Sequence, residues 1–322
     1  MTGAVDVAER GAGYDRGMVE AAWDDLGGLV FAARRLVEGL YAGGHASPRH
    51  GSGQEFHDYR AFVPGDDVRD VDWKLWGRSD RLYLRRHQMM TDLRATVVVD
   101  TTASMNFAGL DGRGRALTGS AQPTKLKHAV TLAAAIAMLA VRQGDRVGVA
   151  VVTDRVERHV PAAGGWGHLR TVIAELSRVR PALGRGDLGA ALRQVHPLVG
   201  RRGLVIVVSD VLDDPTGDVG LFDALDRLRH AHCDVTVLQV LTPVELDLRR
   251  GGDRRLLLVD SETRRQVGTS LAEVAGAYGR LMAEHVALVR RGCLARGADH
   301  ELMVTDVPPV AGLRAYLARR GG

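Results

Sequence analysis

Asp100, Thr102 and Ser104 alternate along a short stretch that directly follows Thr96, Val97, Val98 and Val99. One carboxylate and two hydroxyls at i, i+2 and i+4 form an all-oxygen donor set. A hard cation such as Mg²⁺ takes few protein oxygens of this kind and keeps several waters. The same residue types also build Asx and Ser/Thr turns that bond only their own backbone. The stretch alone admits both readings. A second acid beside a hydroxyl, Ser209-Asp210, ends another apolar run at 204–208. If the two runs are neighbouring strands, Asp100 and Asp210 meet in one crevice. Two carboxylates that close repel unless a cation lies between them or one keeps a proton. A divalent cation is the simplest neutraliser, with Thr102 and Ser104 as neutral oxygens.

The elements around these residues alternate. Short unbroken apolar runs suit strands buried on both faces, as in a parallel sheet covered by helices. Strands are expected at 96–99, 146–153, 204–208, 235–240 and 301–304, and a shorter one at 156–161 returning beside its predecessor as a hairpin. Pro123 opens an apolar helix over 126–141, as a first-turn proline can. Further helices are expected at 169–179, from Asp187 as N-cap or first-turn acid, at 221–230, at 271–290 and near the C-terminus up to 320. A hairpin pairs 255–259 with 264–267. The pattern predicts an α/β, doubly wound and mainly parallel sheet. Ligands bind such sheets beyond the carboxyl ends of the strands.

Upstream, residues 1–17 read as a flexible arm, and 18–94 as an N-terminal helix with a small accessory lobe. The main domain is 95–322, with a Gly-rich rim loop at 108–120. The lobe carries Pro64-Gly65, a tight-turn signal, followed by Asp66, Asp67, Arg69, Asp72 and Trp73. These residues serve either to fasten the lobe onto the main domain or as a partner surface, for which Trp, Tyr and Arg are the usual anchors.

The 322 residues are 45% hydrophobic and 25% charged, which is ordinary for a globular chain. A net charge of +4 from intermixed residues is weak grounds for nucleic-acid binding. Arg78, Arg81, Arg85, Arg86 and Arg94 fall within one short span, but Asp80 and Asp92 interrupt it. No nucleic-acid partner is expected. Cys233 and Cys293 show no metal spacing and no disulfide framework. The first residues lack the features of a signal peptide, and no stretch reaches the length of a membrane span. A cytoplasmic protein without membrane insertion is expected.

Asp100-Thr101-Thr102-Ala103-Ser104-Met105 resembles the Asp-x-Ser-x-Ser motif of von Willebrand factor A domains, and Ser209-Asp210 resembles that fold's second acidic motif. Gly53-Gln54-Glu55-Phe56, Arg60, Pro64 to Arg69 and Val71-Asp72-Trp73 resemble the signature of the domain-of-unknown-function 58 family, which precedes a von Willebrand A-like domain. The resemblance implies a six-stranded Rossmann-like sheet topped by a metal-ion-dependent adhesion site. Its metal ligands are Asp100, Thr102, Ser104 and Asp210, taking Mg²⁺, or Mn²⁺ or Ca²⁺ in its place. It departs at Gly186, where the family pattern has threonine before Asp187-Leu188. Water covers the missing hydroxyl, or the site works without metal.

The resemblance further implies a non-enzymatic adaptor or chaperone-like partner of a MoxR-type AAA+ ATPase and its client. Asp66, Asp67, Arg69, Asp72 and Trp73 are candidate partner-binding residues. The alternative is a metal-dependent phosphoester hydrolase using Asp100 and Asp210, with metal-bound water as nucleophile. It is disfavoured because only two acids converge and no Lys or Arg stands out for a transferring phosphate.

Overall fold

A computed structural model describes residues 93–110, 123–182, 186–200, 202–213, 215–216, 220–251, 265–309 and 311–314, together with the backbone of three further strands. Two of these strands, β1 (Glu55–Ala61) and β2 (Tyr83–Gln88), form an antiparallel pair. The expected helix of the N-terminal region lies outside the described residues, as do Asp66, Asp67, Arg69, Asp72 and Trp73.

The main body begins with β3 (Arg94–Asp100), helix α1 (Lys125–Arg142), β4 (Arg146–Val152) and β5 (Val156–Ala163). Helices α2 (Trp166–Ser177) and α3 (Leu188–Val199) follow, then β6 (Leu204–Ser209), α4 (Leu221–His230) and β7 (Asp234–Leu241). A short helix α5 (Pro243–Leu246) precedes the antiparallel pair β8 (Arg255–Val259) and β9 (Gln266–Ser270). The long helix α6 (Leu271–Ala295) and strand β10 (Asp299–Val304) follow, and helical residues 311–314, within the expected terminal helix, bury Leu313 in the core.

Six strands join in the order β10-β7-β6-β3-β4-β5. All pair in parallel except β5, which returns antiparallel to β4. The expected doubly wound, mainly parallel sheet is therefore present. Its strands are Val-rich because both faces are covered. Val97, Val99, Val149 and Val208 point into the layer holding α1 and α2. Val98, Val152, Val207 and Val237 point into the layer holding α3, α4 and the end of α6. This is the period of two that a pleated strand imposes.

Several boundaries shift for local reasons. Thr124, not Pro123, caps α1: its hydroxyl accepts from Lys127 N at 3.1 Å, which leaves Pro123 one residue before the cap. Helix α2 starts at Trp166 because Gly165, at φ 88°, turns the chain immediately before it. Asp187 caps α3 as expected, accepting from Ala190 N at 2.7 Å. Helix α6 runs on to Ala295, and the left-handed Gly297 (φ 65°) follows its end. The second hairpin pairs Val259 with Gln266, so its return strand lies later than 264–267. Among the described residues, no helix is long and apolar enough to cross a membrane.

Gly148 is sterically required by its backbone neighbours. A Cβ on Gly148 would lie 2.6 Å from Val160 O and 2.7 Å from Ala162 N. Both are backbone atoms, at the irregularity where β5 shifts register against β4. Gly148→Ala must part the two strands, and overpacking of this kind costs about 1–3 kcal/mol. A denaturant midpoint lowered at unchanged slope is the expected result, and an unchanged midpoint would contradict it.

Candidate functional site

The chain leaves β3 for β4 and β5 on one side, then returns to β6 on the other. The crevice between the ends of β3 and β6 is thus the reversal point at which open α/β sheets bind ligands. Asp100 ends β3, and Ser209-Asp210 ends β6 one strand away. The expected meeting of the two motifs is present. Ser209 Oγ donates to Asp100 Oδ2 at 2.5 Å, and Thr102 N donates to Asp100 Oδ1 at 2.9 Å.

After Asp100 the backbone is pinned at several points. The N–H and the hydroxyl of Thr101 both donate to Val152 O at 2.9 Å, while Thr101 O accepts from Ala182 N at 2.7 Å. A 3₁₀ turn over Ala103–Asn106 follows, anchored by the fully buried Met105. It sets Thr102 Oγ1 3.1 Å from Ser104 Oγ. The three expected oxygens of the first motif therefore cluster. Gly186 is buried and lines the neighbouring cleft, but contributes no hydroxyl.

The neutralising charge in this crevice comes from the chain itself. Lys125, the first residue of α1, is 0% exposed. Its ammonium donates to Asp210 Oδ2 at 2.7 Å and to Glu245 Oε1 at 2.5 Å. Burial disfavours the ammonium, but Asp210 and Glu245 outweigh it and hold its pKa above the ordinary lysine value. Glu245 is itself fixed by a capping box at α5. Its Oε2 accepts from Thr242 N at 2.7 Å and from Thr242 Oγ1 at 2.9 Å, and its N–H donates back to Thr242 Oγ1.

Asp210 is held equally firmly. Its Oδ1 accepts from Leu212 N at 3.3 Å, and its carbonyl from Gln239 Nε2 at 3.0 Å. Gln239 Oε1 accepts in turn from His300 Nε2 at 3.0 Å, a neutral ring because burial, with help from Arg290, pushes its pKa down to about 4. Val211 takes φ 51°, a costly conformation for a β-branched residue. Its carbonyl accepts from His285 Nε2 of α6 at 2.6 Å. The loop bearing Asp210 is thus fastened from β7 and from α6.

Asp100 and Asp210 are each only 2% exposed. Burial, and then the charge of Asp210, push the Asp100 carboxyl up to about 7, against the hydrogen bonds from Ser209 and Thr102. With all groups ionised, three carboxylates against one ammonium leave an excess of two negative charges, which a proton on Asp100 reduces to one. That excess and the paired hydroxyls of Thr102 and Ser104 fit a hard divalent ion. Asp100, Thr102, Ser104 and the Asp210 edge not bonded to Lys125 are the residues that could hold one. Among the described residues, no group of three His, Cys, Asp or Glu side chains is placed to bind a metal. An ion here would therefore depend on hydroxyls and water as well as carboxylate.

Beside the acids opens a cleft of about 580 Å³ at the ends of β3 and β4. Thr102, Thr153, Arg155, Arg158, Arg178 and Arg180 stand along it together with Asp154 and Glu157. Arg178 meets Glu175 at 2.8 Å and Arg155 meets Glu157 at 3.0 Å, with both guanidinium groups largely exposed. Exposed pairs of this kind contribute little and exchange partners readily. The face therefore combines a buried acidic floor with an arginine-rich wall.

Sequence reading missed Lys125, Gln239 and Glu245. Two signals were present. A cation in the first turn opposes the helix dipole and needs a counter-charge. Thr242-Pro243-Val244-Glu245 also has the spacing of a capping box.

Comparison with known proteins bears on the same chain. A family model described as "Protein of unknown function DUF58" matches residues 58–287. The uncharacterized protein Rv1480 of Mycobacterium tuberculosis (strain ATCC 25618 / H37Rv) is 29% identical over 294 residues, covering 91% of this chain and 87% of its own. Among solved structures, the conserved hypothetical protein BatB from Bacteroides thetaiotaomicron matches 71% of this chain and 99% of its own, at 15% identity and a TM-score of 0.41. A von Willebrand factor type A protein from Catenulispora acidiphila matches 61% of this chain and 43% of its own, at 16% identity and a TM-score of 0.35.

Proposed function

We propose, from the premise that this chain belongs to the DUF58 family, that it is a non-enzymatic protein-docking module. Its docking face is the rim where β3 and β6 end, and its partner is a MoxR-type AAA+ ATPase with that enzyme's client. The observation that carries this reading is the pairing of the Asp100–Asp210 floor with the adjoining arginine-lined cleft. The arginines match carboxylate geometry, so acidic side chains of a partner are what this wall would receive. Mg²⁺ held by Asp100, Thr102, Ser104 and Asp210 would offer such a side chain a further attachment.

Three observations support a non-enzymatic reading over the phosphoester hydrolase. Lys125 is committed to two carboxylates, so its charge does not face a transferring phosphate; the cleft arginines, which the sequence did not single out for such a role, include three that meet Glu157 or Glu175. Both hydroxyls of the first motif bond each other. The buried Cys293 thiol is pushed up to about 12 by burial, the opposite of an activated nucleophile.

The test is co-elution of the purified chain with a MoxR-type ATPase from the same genome, in Mg²⁺ and in EDTA. A complex is expected, weakened about tenfold or more by Arg155→Glu with Arg178→Glu, since facing charges dominate such contacts. Absence of any complex in either buffer and either nucleotide state would refute the ATPase pairing. Phosphoester turnover abolished by Asp100→Ala would refute the non-enzymatic reading itself.

A further inference from the structure

We infer that Lys125 is a resident cation of this site, positioning Asp210 and Glu245 so that the acid–hydroxyl cluster stands assembled before any divalent ion arrives. The ammonium joins two structural units that differ widely in sequence position. Asp210 follows β6 and Glu245 belongs to the cap of α5, and both converge on the first residue of α1.

The contacts are not those of a mobile surface lysine. Lys125 has no exposed surface, and its backbone N–H is fixed to Phe107 O at 2.9 Å. The helix N-terminus places further positive potential here, so the ammonium gains nothing from its own helix. Its position is explained only by the two acids. Those acids in turn keep their geometry without outside help. Every Asp210 oxygen, the carbonyl included, has a donor within the chain, and both oxygens of Glu245 are engaged.

A divalent ion would therefore add to a finished site, through Asp100, Thr102, Ser104 and the Asp210 oxygen away from Lys125, rather than draw four loose ligands together. Water standing in for a hydroxyl at Gly186 is enough under these conditions, since the ion is not required to organise the loops. The Lys125 charge also weakens the ion's hold, because like charges at close range repel in a poorly screened interior. A weakly held, dispensable ion is the consequence. This inference stands whether or not an ATPase is the partner, and its test reads folding and ion uptake rather than capture.

The test is thermal unfolding of the full chain in EDTA and in millimolar Mn²⁺, joined to calorimetric Mn²⁺ titration. The wild-type chain is expected to unfold at the same temperature in both buffers. Lys125→Met leaves two acids facing each other without a cation, and its unfolding temperature in EDTA is expected to fall by about 10 °C. Mn²⁺ should restore at least half of that loss and bind the variant about tenfold more tightly than wild type. Wild-type protein that itself depends on the ion, or Lys125→Met that ignores it, would overturn the inference. If Lys125→Met does not fold, Lys125→Met with Glu245→Gln removes one acid as well while keeping Asp100 and Asp210. That double variant should fold and respond to Mn²⁺; indifference to the ion overturns the inference equally.

Discussion

Asp210→Ala is expected to lower the unfolding temperature by about 10 °C, a loss as large as that of Lys125→Met. Lys125 remains at 0% exposure with Glu245 as its one carboxylate, and the Leu212 N–H loses its acceptor. Removing one partner of a buried ion pair costs about 3–5 kcal/mol, chiefly because the other charge cannot regain its water. The backbone contact from Gln239 to the carbonyl of residue 210 survives, so the strand end itself should persist. Asp210→Asn keeps the shape and the acceptor for Leu212 while removing the charge, and isolates the electrostatic part. Combining Lys125→Met with Asp210→Asn should cost less than the two singles added, which a double-mutant cycle reads directly. An alanine variant within about 2 °C of wild type would show that the pair contributes nothing to stability.

The second large effect depends on pH. His128 of α1 is 2% exposed and its Nδ1 is buried without a hydrogen-bond partner. Burial holds its pKa down at about 4, against 6.5 for a free imidazole. The unfolded chain therefore binds a proton below about pH 6.5 that the folded chain refuses until about pH 4. Stability from this group is fully present above the upper value, falls as pH drops between the two, and declines no further below the lower. At 1.36 kcal/mol per pH unit the ceiling is about 3 kcal/mol. His300, also held down at about 4 by burial and then Arg290, adds in the same direction and window. Since carboxylates titrate there too, the measurement is a difference. Urea midpoints at several pH values are compared for wild type and His128→Met, and the variant should show the shallower acid loss. Parallel profiles would remove His128 as the cause.

Much of this was legible beforehand, and the reasons are physical. Runs such as 96–99 and 204–208 suited strands covered on both faces, and a carboxylate at or just past the end of each pointed to where chemistry would lie. Asp187 announced its helix because a side-chain acceptor before an apolar stripe has a local meaning. The partner of the two acids was not legible. Spacing within a motif tells which oxygens share a turn; it does not tell which distant charge the sheet order brings opposite them. Lys125 sits 85 residues from Asp210 and 120 from Glu245. The expected divalent ion was one solution to a repulsion that the fold had already partly met with its own ammonium. Boundaries shifted for smaller reasons, as at α2, where Gly165 rather than the apolar pattern sets the start.

Those separations carry a further consequence, for the order in which the site comes into being. Asp100 and Lys125 lie near one end of the chain that builds the sheet, and Glu245 lies well past its middle. Bringing such distant groups together waits on loop closure, which gives nothing back until the intervening strands have paired. During synthesis from the N-terminus, the ammonium therefore has no counter-charge until β6 and then β7 have emerged and docked. Until then the segment around Lys125 stays in water, and the rim has no acidic floor. A half-made chain therefore lacks the Lys125–Asp210–Glu245 network, which closes only when nearly the whole sheet is in place.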